Sequence, residues 1–176
     1  MLWNSTFSDL PALAGVVYLV VVAWPLAKTD WREHRLPNNL VLPAIPIALV
    51  GQLAAVALGA GWYHIAESLG MALFAFGLGL ALNRWAGLGM GDVKLIAVLA
   101  LALGWWGISG VIWALILAFG FAGLAVGVLF LLGKVKPESR SKFLVGQALG
   151  LPLGLRSSIP LGPYLLIGFV VALAIA

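Results

Sequence analysis

The sequence predicts an all-α membrane protein that crosses the bilayer with six helices. Hydrophobic residues make up 63% of the 176 residues, charged residues only 9%, and the mean hydropathy is +1.11. An ordinary soluble domain carries roughly a quarter charged residues, so this chain cannot cover a water-exposed surface. Stretches such as 10–27 and 109–132 are apolar on every face, whereas barrel strands alternate. We therefore treat residues 1–176 as a single membrane-embedded domain.

Each predicted helix is an apolar stretch that approaches the length needed to span the bilayer. About 20 residues cross the ~30 Å hydrocarbon layer as a helix. The predicted spans are residues 10–27, 40–58, 66–82, 92–106, 109–132 and 161–176. Breaks at 59–65 and 104–110 are tight, so the spans on either side of each should run antiparallel. Residues 143–155 are rich in Gly, Leu and Pro, and we expect an interfacial or re-entrant segment there.

The basic residues predict the orientation of these spans. In a six-span arrangement all ten lie on one side of the membrane, where the positive-inside rule places the cytoplasm. Both termini should then lie outside the cytoplasm. The pI near 9.8 reflects this topology, so we expect no nucleic-acid partner. The ten residues are Lys28, Arg32, Arg35, Arg84, Lys94, Lys134, Lys136, Arg140, Lys142 and Arg156.

The residue types present exclude several kinds of chemistry. The chain has no cysteine, which removes disulfides, thiolate metal sites and cysteine nucleophiles. His34 and His64 fall in separate breaks, predicted on opposite faces of the membrane, so neither a histidine metal site nor a Ser/His/acid triad is expected. We predict no cofactor and no metal.

Asp92 is the first of two informative acids. It opens the fourth span, whose apolar part is only about 18 Å long at 1.5 Å per residue, so the first turn should be drawn towards the membrane boundary. Ionisable groups there are functional candidates. Gly89 and Gly91 remove side-chain bulk beside Asp92 and should let another backbone approach closely. We interpret Lys94 as an interfacial anchor; the alternative is that its charge lowers the local cost of a carboxylate. For Asp92 the alternative to a functional role is a plain helix cap.

Asp30 is the second informative acid. It follows the first span within about a turn, after Pro25 has weakened that helix. Pro37 and Asn38 predict a break and a restart, with Asn38 as a capping residue. The charged residues around Arg32 resemble an ordinary solvated loop.

If spans one and four are neighbours, the two carboxylates meet at one depth. Paired carboxylates do not both ionise readily, so one keeps a proton while the other can activate water. This is the chemistry of an aspartic protease. Two alternatives stay open: a small proton-coupled transporter or channel that uses Asp30 and Asp92 as a proton relay, and a catalytically silent membrane assembly subunit.

Three motifs resemble a known family in the same order along the chain. The heptapeptide Gly89-Met90-Gly91-Asp92-Val93-Lys94-Leu95 is similar to the GxGD motif of type IV prepilin leader peptidases, which are aspartic endopeptidases. Asp30 with Leu36-Pro37-Asn38 resembles the family's first catalytic Asp and its downstream Ile-Pro-Asn, with leucine in place of isoleucine. Ile159-Pro160-Leu161-Gly162-Pro163-Tyr164 resembles the segment that opens the last helix.

The resemblance implies a substrate and a location. Such enzymes remove the short basic leader from type IV pilins or pseudopilins, usually after a glycine and before the hydrophobic helix, at the cytoplasmic face of the bacterial inner membrane. The implied partners are pilin-like precursors and the lipid bilayer, in pilus assembly or secretion. Whether the chain forms a homo-oligomer is left open.

The resemblance also implies which activity and which site residues to expect. Long members of the family carry a cysteine-rich zinc-binding segment that is associated with N-methylation. Since this chain has no Cys, we expect cleavage alone. Asp30 and Asp92 would be catalytic, and the supporting residues would be Gly89, Gly91, Lys94, Pro37 and Asn38.

Overall fold

The computed structural model describes residues 7–33, 36–131 and 162–175, and every regular element within these ranges is a helix. The predicted all-α fold is thus confirmed for the described part of the chain. A 3-10 segment, Phe7–Ala12, precedes the first α-helix, and a 3-10 turn, Gly104–Trp106, follows the fifth. The α-helices are α1 Leu13–Glu33, α2 Asn38–Val41, α3 Ala44–Ala57, α4 Tyr63–Ala86, α5 Met90–Leu103, α6 Ile108–Leu131 and α7 Gly162–Ile175.

Four segments of the described chain are long and apolar enough to cross a membrane. They are Phe7–Glu33, Asn38–Ala57, Tyr63–Trp85 and Ile108–Ala125, which correspond to the first, second, third and fifth predicted spans. The fourth and sixth predicted spans form the 14-residue helices α5 and α7, which are shorter. Six spans and the positions of the termini therefore stay predictions, and residues 143–155 lie outside the described ranges.

The tight breaks between predicted spans are turns that depend on glycine. Gly59 lies between α3 and α4 with φ +102°, and Gly107 lies between the 3-10 turn and α6 with φ +104°. Residues with a side chain rarely adopt such angles. The two breaks predicted from the sequence at 59–65 and 104–110 thus each contain a glycine with positive φ between two helices. The antiparallel arrangement of the flanking helices stays a prediction.

Helix α1 is longer than the sequence predicted. It continues through Pro25 to Glu33, so Asp30 and Arg32 lie on its last turns and the predicted solvated loop at this point is wrong. Arg32 suits the end of a helix, where the macrodipole favours a positive charge. Asp30 continues the buried stripe of α1, which consists of Val16, Leu19, Val22 and Leu26 at steps of three or four residues. The helical period therefore carries Asp30 into the bundle.

Helix α5 lies at the centre of the bundle. It contacts α1, α3, α4, α6 and α7. Because protein rather than lipid surrounds it, α5 need not match the thickness of the hydrocarbon layer. This accounts for its short length better than the sequence argument that its first turn must be drawn in to complete a span. Its buried residues are Val93, Leu95, Ile96, Val98, Leu99, Ala100, Leu101, Ala102 and Leu103.

A buried polar network joins α3, α4 and α5 in the half of α5 away from Asp92. Gln52 Nε2 donates a hydrogen bond to the Leu101 carbonyl oxygen at 3.0 Å, and Ser68 Oγ donates one to Gln52 Oε1 at 2.9 Å. Both side chains are fully buried. Since buried polar groups are costly unless paired, the network favours one position of α5 along its axis, and Asp92 lies on the same helix.

Candidate active site

Asp30 is buried, with 5% of its surface exposed, near the end of α1. The backbone N–H of Gly162 donates a hydrogen bond of 2.9 Å to Asp30 Oδ2. Gly162 is the first residue of α7, so its N–H is one of the donors that a helix leaves without an internal partner. The start of α7 is thereby held against the end of α1, across 132 positions of sequence.

Asp92 is the third residue of α5 and is half-buried. Its carboxylate lies close enough to that of Asp30 for the two to interact electrostatically. The structure therefore brings together the two acids that the sequence singled out. Helices α1 and α5 are in contact, as their pairing requires.

Glycines line both carboxylates. A Cβ at Gly162 would lie 2.7 Å from Asp30 Oδ2, and a Cβ at Gly89 would lie 2.9 Å from Asp92 Oδ2. Either distance is shorter than a carbon–oxygen contact normally allows, so each carboxylate occupies space that any larger residue would need. For Gly89 the sequence argument of free space for an approaching backbone is replaced by contact with Asp92 itself.

Gly91 faces a different neighbour. A Cβ at this position would lie 3.0 Å from Leu36 Cβ and 3.5 Å from Leu36 Cδ1. The space that the sequence argument left for a second backbone is thus occupied by residue 36 of the same chain. The glycine lets the segment before α2 pack closely on the first turn of α5.

Lys94 and Asn38 form a hydrogen bond between α5 and α2. Lys94 Nζ donates to Asn38 Oδ1 at 3.0 Å, so Lys94 has a specific partner on α2. Its interpretation as an interfacial anchor stays a prediction. Pro37 and Asn38 do mark the predicted restart of the helix. However, the N-cap residue is Pro37, without a side-chain cap bond, and the amide of Asn38 binds Lys94 instead of capping.

The sequence argument missed two residues of this site. Gly162 was noted only as part of a proline- and glycine-containing segment, and Leu36 only as a replacement for isoleucine. A signal for Gly162 was present, because glycine beside Pro163 at a helix start fits a close backbone approach. No signal in the sequence pointed to the contact of Leu36 with Gly91.

The described residues do not assemble a metal site. Within 7–33, 36–131 and 162–175, no group of three or more His, Cys, Asp or Glu side chains is placed to hold an ion. The chemistry available to the pair of acids is proton transfer and hydrogen bonding.

Fold and site define a helical membrane protein with two acidic side chains paired between helices. A model of the type IV leader peptidase family matches residues 16–137, which are 122 of the 176 residues and include Asp30 and Asp92. The chain belongs to the type IV leader peptidase family, as its motifs predicted. No curated protein and no solved structure gave a significant match.

Proposed function

We propose that the chain is a membrane aspartic endopeptidase that removes the short basic leader from type IV prepilin-like or pseudopilin precursors. Asp30 and Asp92 would be its catalytic pair. Membership of a peptidase family supports hydrolysis of a peptide bond. The observation that carries the proposal is the packing of α1 against α5, with Asp30 in the last turn of one helix and Asp92 in the first turn of the other.

The pair can hydrolyse a peptide bond without a covalent intermediate. The ionised carboxylate takes a proton from water while the water oxygen attacks the scissile carbonyl carbon. The protonated carboxyl gives its proton to the carbonyl oxygen, and a geminal diol results. In the second step the diol returns one proton to a carboxylate, the carbon–nitrogen bond breaks, and the leaving amine takes a proton from the other carboxyl. One water is consumed and the pair is restored.

The surrounding contacts support this chemistry by fixing geometry. The Gly162 N–H holds one oxygen of Asp30 at 2.9 Å, which limits rotation of that carboxylate. The Lys94–Asn38 bond ties the first turns of α5 to α2. Catalytic groups that are held in place before the substrate arrives lose little entropy in the reaction.

The charge pattern supports a site at the cytoplasmic face. Asp30 lies near the end of α1 and Asp92 near the start of α5. Lys28, Arg32 and Lys94 are within a few residues of these acids. The positive-inside rule supports a cytoplasmic position for that end of the bundle, where a basic leader would lie. The proposed location is the bacterial inner membrane.

The positions of the acids also separate this proposal from a proton-coupled transporter or channel. A relay across the membrane needs ionisable groups near the bilayer midplane, whereas both acids lie in the terminal turns of their helices. The proposal is for cleavage of the leader alone.

Mass spectrometry of a reconstituted reaction tests the proposal. The chain, in detergent micelles or liposomes, is incubated with a precursor that has a basic leader, a glycine and then an apolar helix. We expect one cut, after the glycine, giving two products whose masses sum to the precursor plus one water. An intact precursor in the presence of well-folded enzyme contradicts the proposal.

A further inference from the structure

Leu36 lies between two glycines that belong to different helices. Its Cβ is 3.0 Å from where a Cβ of Gly91 would be, and its Cδ2 is 3.2 Å from where a Cβ of Gly162 would be. Gly91 precedes Asp92 directly, and Gly162 donates to Asp30. One leucine side chain therefore lies between the α5 and α7 backbones, next to the glycine that precedes Asp92 and the glycine that binds Asp30.

The side chain of Leu36 also adjoins the carboxylate of Asp30. The position that a Cβ of Gly162 would take lies 2.7 Å from Asp30 Oδ2 and 3.2 Å from Leu36 Cδ2. Leu36 is half-buried and packs against the main core cluster of the bundle. Leu36 is thus a partly buried apolar side chain next to Asp30 and not a solvent-facing loop residue.

The two residues that follow Leu36 restrict its position. Pro37 follows directly and restricts the backbone of the residue before it, and its carbonyl oxygen accepts hydrogen bonds from the first turn of α2 at 3.1 and 3.3 Å. Asn38 is bonded to Lys94 on α5. The segment that follows Leu36 is therefore attached to α5, the helix that carries Asp92.

We propose that Leu36 determines specificity by restricting the residue before the scissile bond to a small side chain. The inference rests on the proposed function. The attacked carbonyl carbon must lie beside both carboxylates, and the Cα of its own residue is one bond away. In the proposed arrangement the side chain of that residue lies against Leu36. The Cα of the residue after the scissile bond is two bonds from the attacked carbon and so lies farther away.

Among the residues around this space, Leu36 is the one whose side chain can be shortened by substitution. A Cβ at Gly89 or Gly162 would press on a carboxylate, and a Cβ at Gly91 would press on Leu36. Shortening Leu36 creates room while both acids are kept. Relaxed selectivity is therefore expected from a change at this position.

The test compares kcat/KM for two precursors that differ only in having glycine or alanine before the scissile bond. The wild-type chain should strongly prefer glycine. Leu36→Ala should reduce that preference by about tenfold or more, because one extra carbon on a substrate changes kcat/KM by roughly 10–200-fold in an apolar pocket. Leu36→Val should shift the preference in the same direction by less. Leu40→Ala is the matched control, because Leu40 is a half-buried leucine of the adjacent turn that packs against the same core; it should keep the wild-type preference.

The outcomes separate this inference from the function on which it rests. Cleavage of neither precursor by the wild-type chain overturns the proposed function and the inference with it. Cleavage of the glycine precursor with an unchanged preference in Leu36→Ala overturns the inference alone, as does an equal change in Leu40→Ala. If Leu36→Ala fails to insert, the preference measured for Leu36→Val decides by the same criterion.

Discussion

The backbone N–H of Gly162 donates a hydrogen bond to Asp30 Oδ2 and so connects the start of α7 to the end of α1. The donor is a main-chain group, which a substitution of side chains does not remove. The close approach depends on the absence of a Cβ at residue 162. A methyl group there would lie 2.7 Å from Asp30 Oδ2, the oxygen that accepts the hydrogen bond.

Gly162→Ala should therefore impair catalysis without preventing membrane insertion. The added methyl must displace either Asp30 or the first turn of α7, and misplacement of a catalytic group by about 1 Å can cost roughly a hundredfold in rate. The measurement is the initial rate of precursor cleavage at matched enzyme levels. Gly123→Ala is the control, because a Cβ at Gly123 meets nothing within 4 Å. Equal rates for the two variants would contradict the proposed role of the close contact.

The Lys94–Asn38 bond predicts an energetic coupling between α5 and α2. Lys94→Met and Asn38→Leu should each lower the free energy of unfolding, and the double variant should lose less than the sum. We expect a coupling of about 0.5–1 kcal/mol, since the bond is exposed, links a charged to a neutral side chain, and even exposed ion pairs contribute little. Thermal or denaturant unfolding in detergent gives the four values. The control cycle combines Lys28→Met, at an exposed lysine of α1, with Asn38→Leu, and its effects on the free energy of unfolding should be additive. Additive effects for Lys94 and Asn38 as well would contradict a stabilising bond between them.

The buried network of Gln52 and Ser68 predicts a loss of stability on Ser68→Ala. The change removes the donor to Gln52 Oε1 and leaves a buried acceptor unpaired. We expect a decrease of about 1 kcal/mol, because buried polar groups cost 1–3 kcal/mol when unpaired in soluble proteins and less in membrane bundles. The unfolding midpoint in detergent measures it. An unchanged midpoint would show that the network adds nothing to the position of α5.

Local patterns in the sequence were enough to find most helices and both acids. Apolar length places a helix in a chain whose solvent is lipid, and an acid at a span boundary is conspicuous because such groups are rare there. The spacing of Asp30 from earlier apolar residues also indicates that it is buried. Its spacing of four from Leu26, and of eight and eleven from Val22 and Leu19, places it on the buried stripe of a helix that continues past Ala27.

The rest depended on partners that local patterns do not encode. Nothing near Asp30 specifies that a backbone donor 132 residues later will bind it. The central position of α5 is equally a property of the whole bundle: its 14 residues appeared to be a short span because length was judged against lipid instead of against neighbouring helices. Leu36 and Lys94 acquired their contacts in the same way, from the packing of α2 on α5.

The most direct test of the catalytic pair is the cleavage rate of Asp30→Asn and Asp92→Asn, each measured separately. Asparagine keeps the shape of the side chain but cannot accept or return the proton, so each variant should lose about 10²–10⁴-fold in rate while it inserts and unfolds like the wild-type chain. Loss in both variants supports a pair in which neither acid suffices alone. A near-normal rate in either one would contradict the pair.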